Sequence, residues 1–167
     1  MSFNIFLSLS GQQQGLISAG CNTMDSIGNR CQKNHPDEIQ VLSLNHGVTR
    51  EQHCNHLPVD VVKPIDKSSP LIALAVSNNE KLTAIFQVYW LNQSGVLEVF
   101  YEVKLTNATI ISLNSTYPHV VNSSGVMPYE SLSLKYESIT WAHKIAGTSG
   151  YSCLLYTSDA ADDANWV

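Results

Sequence analysis
No apolar run in this chain approaches the roughly 18 residues that a membrane-spanning helix needs, so a helical membrane protein is excluded. No basic cluster precedes the first apolar stretch, Met1-Ser2-Phe3-Asn4-Ile5-Phe6-Leu7, and polar residues follow within a few positions. That stretch reads as a strand and not as a signal peptide, which predicts a chain synthesised in the cytoplasm with its cysteines as thiols. Basic residues are in deficit: 9 Lys and Arg stand against 14 Asp and Glu, a formal charge of −5, which leaves no basic patch for nucleic acid. Cys-x-x-Cys pairs are missing, and with them the usual half of a structural zinc site. There is no internal repeat and no linker-like stretch, so residues 1–152 are expected to form a single domain.

Against these absences one segment stands out, Asp66-Lys67-Ser68-Ser69-Pro70-Leu71-Ile72-Ala73-Leu74-Ala75-Val76-Ser77-Asn78-Asn79-Glu80. Ser69 suits an N-cap, and Pro70 suits the first helical position, where its missing N–H costs nothing. Asn78 or Asn79 can take the left-handed conformation that ends a helix. The rival reading is a buried strand, because Ile72, Leu74 and Val76 alternate with Leu71, Ala73 and Ala75; the Ser-Ser-Pro start and Leu/Ala content favour a helix near residues 69–79. Leu71, Ile72, Leu74, Ala75 and Val76 span an arc of about 200° at the helical repeat. A helix on one sheet needs an apolar stripe of only about 100° or more. The excess predicts apolar neighbours on two sides, one its own sheet and the other a second subunit, with Leu71 and Leu74 as candidate contacts.

The remainder reads as strands. Phe3, Ile5, Leu7 and Leu9 alternate with Asn4, Phe6, Ser8 and Ser10. Gly11 to Gly15 turns the chain, and a polar excursion from Cys21 to Glu38 separates the short piece 16–20 from a strand at Ile39–Leu44. A second polar excursion, Asn45–His56, precedes an extended segment 57–65 broken by Pro58 and Pro64. Beyond the helix, strands 82–91 and 96–105 flank the hairpin chemistry of Asn92-Gln93-Ser94-Gly95. Asn107-Ala108 reads as a second turn before a third strand at 109–116. After the loop 117–129, segments 131–136 and 139–144 close the pattern. The expected fold is mainly β: a small, closed or nearly closed antiparallel β-barrel of two sheets, about eight strands, with one flanking α-helix, since closure removes exposed edges.

Several stretches together carry a resemblance: Gln14-Gly15-Leu16-Ile17-Ser18-Ala19-Gly20 after the first strand, and Lys63-Pro64-Ile65-Asp66-Lys67-Ser68-Ser69-Pro70-Leu71 into the helix. Further along come Glu98 to Leu105 before Thr106-Asn107-Ala108, then Tyr117-Pro118-His119. Near the end stand Ser133-Leu134-Lys135-Tyr136, Ile139-Thr140-Trp141 and Ala146-Gly147-Thr148-Ser149. Over residues 1–152 the chain resembles the haemolysin-coregulated protein (Hcp) family, the tube subunit of bacterial type VI secretion systems. The resemblance implies a homohexameric ring, ring-on-ring stacking, sheath and tip proteins as partners, and small effector proteins carried in the lumen. It implies release into the medium, no enzymatic activity, no cofactor and no membrane insertion. Some members carry a C-terminal toxin domain, for which residues 1–167 leave no room. The segment Cys153-Leu154-Leu155-Tyr156-Thr157-Ser158-Asp159-Ala160-Ala161-Asp162-Asp163 instead resembles a transposase-type sequencing-library adapter translated in frame. Residues 153–167 are therefore expected to be a non-native tail, with the natural sequence stopping near Ser152 and its own last residues missing.

The residues with chemistry have plain alternatives. Cys21, Cys31, His35, His46, His53, Cys54 and His56 are thiolate and imidazole zinc ligands by type. His-Cys-x-His is not a standard structural spacing, and polar loops carry histidines for hydrogen bonding. A monomeric small-ligand or zinc-binding β-barrel is nevertheless the alternative function. A cysteine hydrolase on Cys31 or Cys54 needs a histidine held by a third group, which spacing does not fix. Trp90 and Trp141 are expected in packing, with the indole N–H partnered. Lys33, Asp37 and Glu38 in the first excursion read as solvated charges. Thr49, Arg50 and Glu51 in the second are the candidate ring-face contacts, where complementary charge sets register more than affinity.

Overall fold
The computed structural model describes residues 2–123 and 125–154. The chain opens with β1 (Phe3–Gly11) and β2 (Gly15–Leu16), followed by a single helical turn α1 (Met24–Ile27) that runs into a 3-10 turn at Gly28–Arg30. Four short strands follow: β3 (Ile39–Val41), β4 (Ser43–Asn45), β5 (Val48–Arg50) and β6 (Cys54–His56). Then come β7 (Val59–Pro64), the helix α2 (Ser69–Ser77), β8 (Leu82–Leu91) and β9 (Leu97–Thr116). The described chain ends with β10 (Tyr129–Lys135), β11 (Ser138–His143) and β12 (Thr148–Cys153). The final strand thus includes the first residue of the segment assigned above to a foreign tail; residues 155–167 lie outside the described residues.

Strand β9 joins the two halves of the fold. Its first half pairs with β8 and β11, and its second half pairs with β10, which in turn pairs with β7. Asn107, at φ 50°, marks the bend, where the β8 register slips between Leu82 and Ala84. The expected turn at Asn107-Ala108 is therefore a bulge: one extra left-handed residue re-aims the strand without ending it. The core between the halves is apolar, with Leu7, Leu9, Phe86, Leu105, Leu132 and Leu134 fully buried.

Two expectations are corrected. The described residues form twelve strands and not about eight, because pieces of two or three residues fall below any readable alternation. The sheets are also not closed into a barrel. Segment 39–45 comes nearest to closing them: β3 pairs with β1, β4 pairs with β7, and the strand breaks at Leu42 between the two ladders.

Helix α2 begins differently from its sequence signature. Ser68 is the N-cap residue and makes no side-chain cap, so Pro70 falls at the second helical position. Asp66 supplies the start instead: its Oδ1 accepts from the Ser68 N–H (2.9 Å), an Asx-type turn. The Ser69 hydroxyl accepts from the Asp66 N–H at 3.0 Å. The helix ends at Ser77, two residues early, and Asn79 takes the left-handed conformation (φ 50°).

Asp66 belongs to a larger buried network. Alternation along β7 puts Lys63 on the same inward face as Val59 and Val61, and Lys63 is 0% exposed. Its ammonium lies 2.5 Å from Glu130 Oε1 on the paired strand and 3.0 Å from Asp66 Oδ1, and it donates to the Pro64 carbonyl at 3.0 Å. Ser69 donates to the same Glu130 oxygen at 2.8 Å. An ammonium this deep is tolerated because every proton has an acceptor. Replacing it leaves two carboxylates without their cation. Lys63→Ala is expected to cost about 3–5 kcal/mol of stability, read as a lower urea midpoint with unchanged slope. A midpoint equal to the wild type would show that the network contributes no net stability.

Candidate functional site
Surfaces that the chain leaves uncovered are the candidates, and the two polar excursions differ sharply in this respect. The first folds back. Asn22 is buried and its Oδ1 accepts from Gln32 N and Gln40 Nε2. Ser26 Oγ accepts from Lys67 N at 2.8 Å, and Asp37 accepts from Gly20 N. His35 stacks on Phe6 with ring centroids 4.3 Å apart, and its Nδ1 sits 2.9 Å from Glu38 Oε1. Phe6 lies on the outer face of its sheet yet is 1% exposed because this segment covers it. Residues 21–38 are thus tied back to the body of the chain through these contacts.

The second excursion stands apart. β5 and β6 pair only with each other, Val48 opposite His56 and Arg50 opposite Cys54, in a sheet separate from the main one. All three β5 residues are exposed. Thr49, Arg50 and Glu51 line one concave side of this hairpin with Gln52, His53 and Asn55. At its root, Leu57 N donates to Gly47 O, and His56 ties the hairpin to the body through Tyr136 and Ser152.

The second candidate surface is α2. It buries Ile72 and Ala75 in its own core and packs Leu71 and Val76 against the edge of that core. Leu74 points away and is 47% exposed. Of the two predicted contacts on this helix, the folded chain thus takes up Leu71 and leaves Leu74. The far end of the helix is anchored by Glu80, which is buried and accepts from Gln13 N (3.0 Å), Gln14 N (2.9 Å) and Gln14 Nε2 (3.0 Å). Burial disfavours this carboxylate, but the bonds from Gln14 and Gln13 outweigh it and hold its pKa below the ordinary 4.5. Glycine is required at Gly11, because a Cβ there would lie 2.0 Å from Glu80 Oε2. Neither Glu80 nor Lys63 was singled out from sequence as a positioning residue.

The sequence-level zinc candidates do not gather. Among the described residues no three His, Cys, Asp or Glu side chains converge as a metal site. Cys21 is buried, with its thiol directed at the Ile17 carbonyl and its pKa pushed up to about 11, chiefly by burial and then by the Asp66 charge. Of these candidates, Cys54 and His56 come together, at 3.6 Å. Trp90 stacks on Phe100 and donates to Glu98 Oε1, and Trp141 packs against the core, so both indoles are in packing roles.

With this geometry in place, comparison with known proteins is decisive. The family described as "Type VI secretion system effector, Hcp" matches residues 6–143. The chain belongs to the Hcp family. It is 34% identical over 163 residues to the "Major exported protein" of Pseudomonas aeruginosa, covering 90% of this chain and 94% of that one. A crystal structure of an Hcp protein superposes with a TM-score of 0.87 at 30% identity, covering 95% of this chain and all of the other. The secreted protein Hcp3 from Pseudomonas aeruginosa superposes with a TM-score of 0.82 at 34% identity, covering 91% and 98%. The description of the matching family places it in type VI secretion. Among the described residues no helix is long and apolar enough to cross a membrane.

The Glu80 anchor has a pH signature. A carboxylate whose folded pKa is depressed contributes stability above its unfolded pKa and loses that contribution as pH falls through the folded value. Wild-type stability is therefore expected to fall with acidification below 4.5 more steeply than that of Glu80→Gln, compared by urea titration on either side of that pH. Parallel curves would mean that Glu80 is not held as a carboxylate.

Proposed function
We propose that this chain is the inner-tube subunit of a type VI secretion system. Six copies close into a ring, rings stack, and the stack runs inside a contractile sheath behind a tip complex. The protein leaves the cell with the tube, as the name of its Pseudomonas aeruginosa relative, "Major exported protein", suggests, and small effector proteins travel in the lumen. The subunit performs no catalysis and needs no cofactor.

One observation carries this reading beyond family membership. Helix α2 is pinned at both ends, and its outer side still offers Leu74 to solvent. A leucine on a rigid, apolar helix matches a heterologous ring contact, the symmetry that yields tubes when ring faces meet. The exposed hairpin with Thr49, Arg50 and Glu51 supplies polar contacts suited to the ring face.

Light scattering on the size-exclusion peak, with electron micrographs of the same fraction, is expected to give six times the chain mass and annular particles. A monomer of the full chain would overturn the proposal. Leu74→Asp separates assembly from folding. Its side chain is half exposed in the single chain, so the subunit should keep its stability to within about 0.5 kcal/mol. Buried against a neighbour, the carboxylate is unpaired and costly, so the ring should fall to monomers. Intact rings of Leu74→Asp would remove α2 from the interface. Arg50→Glu is expected to leave rings whole and shorten end-to-end stacks in micrographs; stacks of unchanged length would take the hairpin out of the ring face.

A further inference from the structure
The buried cluster at the entry of α2 brings a nucleophile and a carboxyl carbon together away from water. Lys63 on β7 and Glu130 on β10 are direct partners in their antiparallel ladder, and their side chains are 0% and 1% exposed. The Lys63 nitrogen stands 2.5 Å from Glu130 Oε1. Asp66 Oδ1 lies 3.0 Å from the same nitrogen, and the Ser69 hydroxyl donates to Glu130 Oε1 at 2.8 Å. An amine, a carboxyl group within its reach, a proton acceptor and a donor on that carboxyl group thus share one dry cluster.

We propose that Lys63 and Glu130 condense to an intramolecular isopeptide bond that ties β7 to β10, with Asp66 as the proton carrier. The ion pair described above is the reactant state. The ammonium first passes a proton to the adjacent Glu130 carboxylate, which gives a neutral amine and a carboxylic acid. The nitrogen then attacks Glu130 Cδ. The Ser69 hydroxyl, donating to that carboxyl group, stabilises the negative charge that collects there during attack. Asp66 takes a second proton from the nitrogen and delivers it to the hydroxyl of the acid, which leaves as water. An N–C bond forms and a C–O bond breaks. In sum, an ammonium and a carboxylate become an amide and one water, with no change of oxidation state and no co-reactant. Burial favours the product. Charges held away from water are costly, and such a site favours their neutralisation. Condensation removes one positive and one negative charge, and exclusion of water slows the reverse hydrolysis. The carboxylate left behind, Asp66, keeps the Ser68 N–H (2.9 Å) and the Ser68 hydroxyl as donors. The bond closes a covalent loop through the sheet beside α2. This inference is independent of the tube reading.

The test is intact-mass spectrometry of the full chain, folded, then reduced and denatured. The expected mass is that of the sequence less one water. Trypsin then releases peptides 51–67 and 105–135, since Pro64 protects the bond after Lys63, and the two are expected as one joined species. Lys63→Arg keeps the cation, and Asp66→Asn removes the proton acceptor; each is expected at its full sequence mass, with circular dichroism establishing that it is folded. The wild type carries the decision, because it needs no substitution. Its full sequence mass would overturn the proposal and leave Lys63 as an ammonium. A deficit of one water confined to peptide 51–67 would overturn it as well, because the bond would then join Lys63 to Asp66.

Discussion
The ammonium of Lys63 between Glu130 and Asp66 is the contact on which the presentation of the molecule depends. Taking three charges out of water is unfavourable by several kcal/mol per ion, and their attraction offsets this only with close geometry and complete hydrogen bonding. Both conditions are met here. The ammonium reaches both carboxylates and a carbonyl, and the hydroxyls of Ser68 and Ser69 donate to the carboxylate oxygens it contacts. The network therefore acts as a locator more than as a source of stability. Glu130 belongs to β10, Lys63 to β7, and Asp66 with the two serines to the entry of α2, so a single cluster fixes where the helix leaves the sheet.

Glu80 completes the constraint from the other end. Its three donors come from the turn after β1, so the exit of the helix is held to a distant part of the chain. A helix with one pinned end can roll; one pinned at both ends by buried carboxylates cannot. Ile72 and Ala75 then face the core, and Leu74 faces out without alternative. A surface fixed in this way loses little freedom when a neighbour covers it, which lowers the entropic cost of assembly.

Much of this was legible in the sequence, and the failures have physical causes. Ser-Ser-Pro located α2, but the turn at its start is made by Asp66, whose Oδ1 accepts from the Ser68 amide. Asn107 announced a left-handed residue; a turn and a bulge both use one, and only the partner strands distinguish them. The short strands β3 and β4 and the gap at Leu42 depend on which distant strand each half meets, which no local pattern encodes. The buried network left a readable signal that went unused. Lys63 alternates with Val59 and Val61, and Glu130 alternates with Leu132 and Leu134, so a basic and an acidic residue stood in inward registers of two apolar strands. A buried charge in such a register implies a partner.

The two polar excursions show why composition alone could not separate structure from surface. Both are rich in Asn, Gln and His and contain few apolar residues. The first covers Phe6, an aromatic ring on the outer face of a sheet, and His35 stacks there because that ring would otherwise meet water. The second covers no such ring: β5 is exposed along its length, and His56 ties the hairpin to Tyr136 and to Ser152 of β12. The hairpin is held at its root and presents an exposed β5. The chain thus spends its buried polar contacts on placing α2 and the first excursion. It leaves β5 of the hairpin and Leu74 on the outer side of α2 exposed.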